Sequence, residues 1–252
     1  MNYVGIDIGS TASKVVVRGE KELHFVLPTG WSRKETTMTI RERLLKEGID
    51  VEDEKTRVVA TGYGRVAVDF ADKVVTEITC HARGGRELAE GDCTIIDVGG
   101  QDTKVIQVNG GMVMDFLMND KCSAGTGKFL EIMANRLGIT LDELFELAKT
   151  GEMIPISSLC TVFAESEVIS YIGEGRPRED IAMGVIESVV SKVAQLAQRQ
   201  TLAEKIILTG GLSHSAYFAE RLSKKLGAAV TPTAFGRFAG ALGASYLAEE
   251  KK

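Results

Sequence analysis

Val4-Gly-Ile-Asp7-Ile-Gly9-Ser-Thr-Ala-Ser-Lys14-Val15 recurs about 90 residues later as Thr94-Ile-Ile-Asp97-Val-Gly99-Gly-Gln-Asp-Thr-Lys104-Val105. Asp7 falls on Asp97, Gly9 on Gly99, Lys14 on Lys104 and Val15 on Val105, while Ile8/Val98 and Ser13/Thr103 are near matches. Each copy reads as an apolar strand, an acid, a glycine turn and a second strand of alternating polarity. Two such hairpins in one register point to a duplicated unit and two lobes.

Outward from the first hairpin, the pattern predicts strand 22–27 and an amphipathic helix over 33–47. Met38, Ile40, Leu44 and Leu45 lie on one side of that helix and Gly48 ends it. Strands near 56–60 and 73–78 and a short helix to Glu90 follow, with the first lobe assigned to residues 1–88. The second lobe, 89–252, opens with hairpin 93–108 and a strand at 111–117. Helices are expected near 123–137, 140–149, 161–173 and 179–200, then strand 204–209, helix 214–226 and strand 228–231. A last helix at 236–249 belongs to a segment, 236–252, that is a candidate to pack on the first lobe. Strand, glycine turn, strand is a hairpin, so the class is α/β with mixed sheets flanked by helices.

Composition narrows the function. The chain has 252 residues, a net charge of −5, 26% charged and 44% apolar residues, the balance of a folded globular protein. A net negative chain lacks the basic footprint of a dedicated nucleic-acid binder. No apolar run approaches the ~20 residues of a membrane helix. No Arg or Lys precedes Asp7, so no secretory signal is read and a cytoplasmic location is expected. Four cysteines, at 80, 93, 122 and 160, are too few and too scattered for a disulfide scaffold.

The glycine turns suit phosphate. Asp7 and Asp97 each end an apolar strand, where a carboxylate can hold a hydrated Mg²⁺ ion through its waters. Gly9-Ser10-Thr11 and Gly99-Gly100-Gln101-Asp102 offer backbone N–H groups and side-chain donors to phosphate oxygens. Lys14 adds charge, or points to solvent if the alternation is strict. A third site, Leu208-Thr-Gly210-Gly211-Leu-Ser213, closes a strand and opens a helix with Ser213 as the expected N-cap, facing the nucleoside end of a ligand. Two look-alikes are set aside. Ser123-Ala-Gly125-Thr-Gly127-Lys128-Phe129 fails Walker spacing, and Phe129 stands where a Mg²⁺-binding hydroxyl belongs. Gly62-Tyr-Gly64-Arg-Val-Ala67 imitates a dinucleotide fingerprint, with Glu87 as its acid in the wrong context.

These motifs resemble the duplicated, ribonuclease H-like fold shared by actin, Hsp70-type chaperones and sugar or acetate kinases. Gly5-Ile-Asp7-Ile-Gly9-Ser-Thr matches its first phosphate motif and Ile96-Asp97-Val-Gly99-Gly100-Gln-Asp its second. Leu208-Thr-Gly210-Gly211 matches the adenosine motif, and Ala239-Gly240-Ala241-Leu242-Gly243-Ala244 the late connecting helix.

Cys122 and Cys160 each precede a helical pattern, and a thiolate at a helix start is stabilised by unpaired N–H groups. Such a pair reads as reactive thiols, as two inert buried cysteines, or as half of an iron–sulfur cube completed by a second copy across a two-fold axis. Cys93 reads as a core thiol, and Cys80 and His81, near the end of a strand, as packing residues. His214 either lines a nucleoside pocket or caps a helix. Trp31 sits in a loop, there to touch a partner or to anchor the turn. Glu165 and Glu167 read as a solvated helix face, and the tail from Glu249 as a frayed end.

Asn119-Asp-Lys-Cys122-Ser-Ala-Gly125-Thr-Gly127 and Ser158-Leu-Cys160-Thr-Val-Phe-Ala-Glu165-Ser-Glu167 are similar to the signatures of the BadF/BadG/BcrA/BcrD ATPase family. They resemble most closely the activator ATPases of 2-hydroxyacyl-CoA dehydratases, and Thr61-Gly-Tyr-Gly-Arg65 and Glu77-Ile-Thr-Cys-His-Ala82 fit as well. The resemblance implies a homodimer with one bridging 4Fe–4S cluster on Cys122 and Cys160. It implies ATP hydrolysis that sends a low-potential electron to a 2-hydroxyacyl-CoA dehydratase, a benzoyl-CoA reductase-like enzyme or a double-cubane cluster protein. Ferredoxin or flavodoxin is the implied donor. Asp7, Ser10, Thr11, Asp97, Gly99, Gly100 and Gln101 take the phosphate and Mg²⁺ site, with Asp7, Asp97 and Gln101 as the catalytic candidates. Gly125, Gly127 and Glu131 are placed towards the nucleoside. Two rivals share the motifs: a small-molecule kinase of this fold, and a nucleotide-dependent regulator or scaffold without redox chemistry.

Overall fold

The structure is a computed structural model that describes residues 1–157 and 160–250. The repeated sequence forms two five-stranded sheets. In the first, β1 (Asn2–Ile8) pairs antiparallel with β2 (Ala12–Gly19) and parallel with β4 (Thr56–Thr61). With β3 (Leu23–Pro28) and β5 (Lys73–Val74) the order is β3-β2-β1-β4-β5. The second sheet runs β10 (Val230–Pro232), β9 (Ile206–Gly210), β6 (Cys93–Val98), β7 (Thr103–Asn109), β8 (Met112–Asn119), with β9 parallel to both β10 and β6.

The chain divides into two compact units that are discontinuous in sequence: Met1–Cys93 with Ile106–Asp115 and Phe235 onward, and Thr94–Val105 with Phe116–Ala234. In the first unit, strand alternation sorts β1 between two layers. Val4, Ile6 and Ile8 pack with Ile40 and Leu44 of α1 (Arg33–Lys46). Gly5, on the opposite face, lies against α8 (Ala239–Glu249), where a Cβ would strike the Ala241 carbonyl. Asp7 shares that face, which α8 and α2 (Glu77–Ala89) cover. Those two helices cross almost in backbone contact. A Cβ at Gly84 would meet the Ala239 carbonyl and one at Gly243 the Cys80 carbonyl, so only glycine fits at either point.

In the second unit a large apolar core joins Ile96, Val98 and Leu208 to α3 (Gly127–Leu137), α4 (Leu141–Ala148) and α6 (Arg178–Ala197). α5 (Thr161–Gly173) contributes only Ala164 and Val168 to the buried set, and α7 (Ala216–Leu226) packs through Phe218, Ala219 and Leu222.

Several expectations needed correction. The strand expected at 73–78 is only Lys73–Val74, because Thr76 caps α2 through its side chain and the helix starts at Glu77. Cys80 and His81 are therefore helical residues, not strand residues. On α1, Met38 and Leu45 are exposed. The inward face is Thr36, Thr37, Ile40 and Leu44, whose threonine hydroxyls satisfy themselves on the carbonyls of Ser32 and Lys34. Ser215, not Ser213, caps α7. The tail is not frayed as far as it is described: Glu249 pairs with Arg18 at 3.1 Å and Glu250 with Arg83 at 3.2 Å.

Candidate functional site

Asp7 stands at the end of β1, 3% exposed, and pairs in register with Lys14 on β2 and Thr61 on β4. Cross-strand partners share a face, so Lys14 turns to the acid rather than to solvent, and its Nζ lies 3.5 Å from Asp7 Oδ2. Asp7 Oδ1 is buried with no hydrogen-bond partner in the structure. The segment dismissed as a dinucleotide look-alike closes over this carboxylate. Gly62, at φ +88°, touches Asp7 so closely that a Cβ would overlap Oδ1, and the Gly64 N–H donates to the Ile8 carbonyl at 2.8 Å. Gly9 is half-buried in the turn that follows, and Ser10 and Thr11 are exposed at its rim.

The second copy is wired differently. Asp97, 2% exposed, accepts from Thr209 Oγ1 at 2.7 Å through Oδ1, and Lys104 Nζ lies 3.6 Å from its Oδ2. Lys104 is itself 1% exposed and pairs with Asp102 at 2.8 Å. The Gly99 N–H closes the turn on the Asp102 carbonyl at 2.9 Å, leaving Gln101 exposed and Gly99 and Gly100 half-buried. Sequence reading aligns Lys14 with Lys104 but makes only Lys14 a site candidate, and it gives no role to Thr209. The offset that matches the two lysines was the available signal for Lys104. Nothing local marked Thr209, which reaches Asp97 only through β6–β9 pairing.

The Walker look-alike also belongs here, though not as a phosphate loop. The N–H groups of Gly127 and Lys128 donate to the Gly99 and Gly100 carbonyls, both at 2.9 Å, so α3 starts by docking on the second glycine turn. Thr103 Oγ1 donates to the Gly125 carbonyl at 2.6 Å in the same place. Glu131 pairs with Lys128 at 3.2 Å, one turn into the helix. At the third glycine site, Gly210 has φ +85° and lies on the Val98 backbone, while Gly211 is exposed. Ser213 is buried there, and its Oγ has no hydrogen-bond partner in the structure. A cleft of about 890 Å³ beside it is lined by His214, Tyr217, Arg221, Lys149 and Glu146; Gly125, Gly127, Glu131, Gly210 and Gly211 do not line it.

The two thiols differ in setting. Cys160 occupies the N-cap position of α5, as expected. Cys122 does not start a helix, because α3 begins only at Gly127. Residues 122–126 form a turn in which Asn119 Nδ2 donates to the carbonyls of Cys122 and Ala124, both at 3.0 Å. Ser123 and Thr161, the residues next after each cysteine, hydrogen-bond through their hydroxyls at 2.8 Å, which draws the two cysteine segments together. Both cysteines are half-buried, whereas Cys80 and Cys93 are buried. Ser158 and Leu159 of the cysteine motif lie outside the described residues. On α5, Glu167 accepts from the Ser157 N–H at 2.6 Å and Glu165 pairs with Arg136, so neither is a merely solvated carboxylate.

A family profile described as the BadF/BadG/BcrA/BcrD ATPase family matches residues 4–248. The chain belongs to that family. Its relatives include the (R)-2-hydroxyglutaryl-CoA dehydratase activating ATPase of Acidaminococcus fermentans, 40% identical over 98% of this chain and 97% of that protein. The uncharacterized protein YjiL of Escherichia coli is 42% identical over 98% and 96% of the two chains. Among solved structures, the activator of the 2-hydroxyisocaproyl-CoA dehydratase from Clostridium difficile with bound ADPNP superposes with a TM-score of 0.90. It is 36% identical and covers 100% of this chain and 99% of that one. A ROK family glucokinase from Streptomyces griseus, at 17% identity and a TM-score of 0.63 over both full chains, shows the shared fold alone. The architecture is thus the expected actin and sugar-kinase type. No helix among the described residues is long and apolar enough to cross a membrane.

Proposed function

We propose that this family member is an ATP-hydrolysing reductive activator. Two copies would hold one 4Fe–4S cluster between them and deliver a low-potential electron to a 2-hydroxyacyl-CoA dehydratase or a related double-cubane cluster protein, with ferredoxin or flavodoxin as donor. The observation that carries this reading is the Ser123–Thr161 hydrogen bond, which draws together the sequence-distant segments that carry Cys122 and Cys160. A cube takes four thiolates. Cys80 and Cys93 are buried while Cys122 and Cys160 are half-buried, so each chain offers two accessible thiols, the number that a cluster shared by two chains takes. Cys122 and Cys160 would hold the cluster, which would supply a one-electron store, and Cys160 would do so from the N-cap of α5.

The nucleotide end rests on the duplicated acids. Asp7, with an unsatisfied buried oxygen, has the donor chemistry that a hydrated Mg²⁺ ion needs. Bound there, Mg²⁺ would offset charge on the phosphate oxygens. Ser10, Thr11 and Gln101 present exposed donors at the rims of the two turns, and Asp97 is held rigid beneath the second. Gly210 and Gly211 are assigned to the nucleoside, with Gly125, Gly127 and Glu131 acting through the start of α3.

Iron and acid-labile sulfide on anaerobically purified protein test the proposal. About two irons per chain are expected, four per dimer, and Cys122→Ala or Cys160→Ala should remove them. No iron after anaerobic reconstitution overturns the redox reading and leaves a nucleotide-dependent regulator or kinase.

A further inference from the structure

We propose that His81, backed by Glu77, is a positioning residue for Asp7. It steadies the Oδ2 side of the carboxylate so that Oδ1 is the oxygen presented to the cation and its waters. The inference rests on the Mg²⁺ role assigned to Asp7 above.

Three elements of the first unit converge on the point. The Cβ position of Gly240, in the first turn of α8, lies 2.9 Å from His81 Nε2 and 3.0 Å from Asp7 Oδ2. The imidazole and the carboxylate therefore flank one bare Cα, no more than about 6 Å apart, a span that a single shared water can bridge. His81 is 6% exposed, and its Nε2 also faces Glu77 Oε1 at 3.7 Å, one turn earlier on α2. Ionised carboxylates offer only acceptor oxygens, so the contact open to Nε2 there is that of a donor. The start of α2 packs on this end of the sheet through Cys80, which is buried in a cluster with Val59 of β4.

The contrast between the two copies shows why Asp7 needs such a partner. Asp97 is oriented by the hydroxyl of Thr209, its register partner on β9. Thr61 holds the same register beside Asp7, but its hydroxyl donates instead to the Val75 carbonyl at 3.0 Å. Lys14, at 3.5 Å, sits at the outer limit of a hydrogen bond. A donor from α2 takes the place of the missing hydroxyl, and it does so on Oδ2, away from Oδ1, the buried oxygen that has no hydrogen-bond partner. The histidine acts through Asp7 and touches no phosphate.

The test is binding of a fluorescent N-methylanthraniloyl ADP to the whole protein, in EDTA and across a Mg²⁺ titration. For wild type, Mg²⁺ is expected to raise the affinity. In His81→Ala that gain should fall about tenfold, as when the outer partner of a metal-binding group is lost, while affinity in EDTA is unchanged. His81→Gln, which keeps an N–H donor, should retain most of the gain, and Glu77→Gln should lie between the two. An undiminished Mg²⁺ gain in His81→Ala overturns the inference. So does an equal loss with and without Mg²⁺, which marks a purely structural side chain. If His81→Ala does not fold, His81→Gln and Glu77→Gln carry the test, and a wild-type Mg²⁺ gain in Glu77→Gln overturns it. Nucleotide binding by wild type with no Mg²⁺ gain refutes the metal role of Asp7 and this inference with it. No nucleotide binding at all refutes the ATPase reading itself.

Discussion

Thr209 and Thr61 hold equivalent places beside the two acids, and their hydroxyls go to different acceptors. At Asp97 the carboxylate is buried and its Oδ1 accepts from Thr209. Thr209→Val keeps the shape and removes that donor from a buried carboxylate. A loss of about 1–3 kcal/mol is expected, read as a lower urea midpoint at unchanged slope. At this scale the sequence was legible where chemistry repeats. The register of the two hairpins located both acids and both lysines, although alternation alone left the direction of Lys14 open. It was illegible where the partner comes from a third strand, because no local pattern tells which parallel neighbour a strand will choose.

The crossing of α2 and α8 decides how close His81 and Gly240 come to Asp7. Gly84 and Gly243 let the two helices touch through backbone. Gly84→Val would force them apart, and overpacking of this kind costs about 3 kcal/mol. The expected outcome is a fall in thermal midpoint together with weaker Mg²⁺-dependent nucleotide binding, since Asp7 and Gly240 separate as the helices do. Element boundaries were read less well than element identity. The β-branched stretch from Lys73 to Ile78 has strand character, yet the Thr76 cap starts α2 within it. The periodicity of Phe129, Leu130, Met133 and Leu137 predicts a helix from residue 123. There Gly125 takes φ +91° and Thr126 Oγ1 donates to the Ser123 carbonyl at 2.6 Å, so the chain turns before it coils. That difference moves Cys122 from a helix start into a loop held by Asn119.

On the scale of the chain, the first unit is completed by its last helix. α8 covers the Asp7 face of β1, and Arg18 and Arg83 both lie against the Tyr246 ring, at 3.4 Å and 4.5 Å from its centroid. A truncation ending at Ala234 strips that face of its cover and exposes Val59 and Cys80 of the core they share with Ala244 and Ala248. Hydrogen exchange should then show β1 and β4 losing protection while α6 and β9, in the other unit, keep theirs. If β1 and β4 stay protected, α8 is dispensable for the first unit.

By itself the sequence determined the duplication, the α/β class, the two strand-Asp-Gly turns and the motifs of the family, because these are local patterns of polarity, glycine and turn chemistry. Only the tertiary structure decided that Gly62 and Gly240 close on Asp7, that Thr209 and Lys104 hold Asp97, and that Ser123 meets Thr161 beside the two thiols. Those residues are far apart along the chain. What joins them is the pairing of strands and the close crossing of helices, which depend on how the whole backbone packs rather than on any one stretch of it.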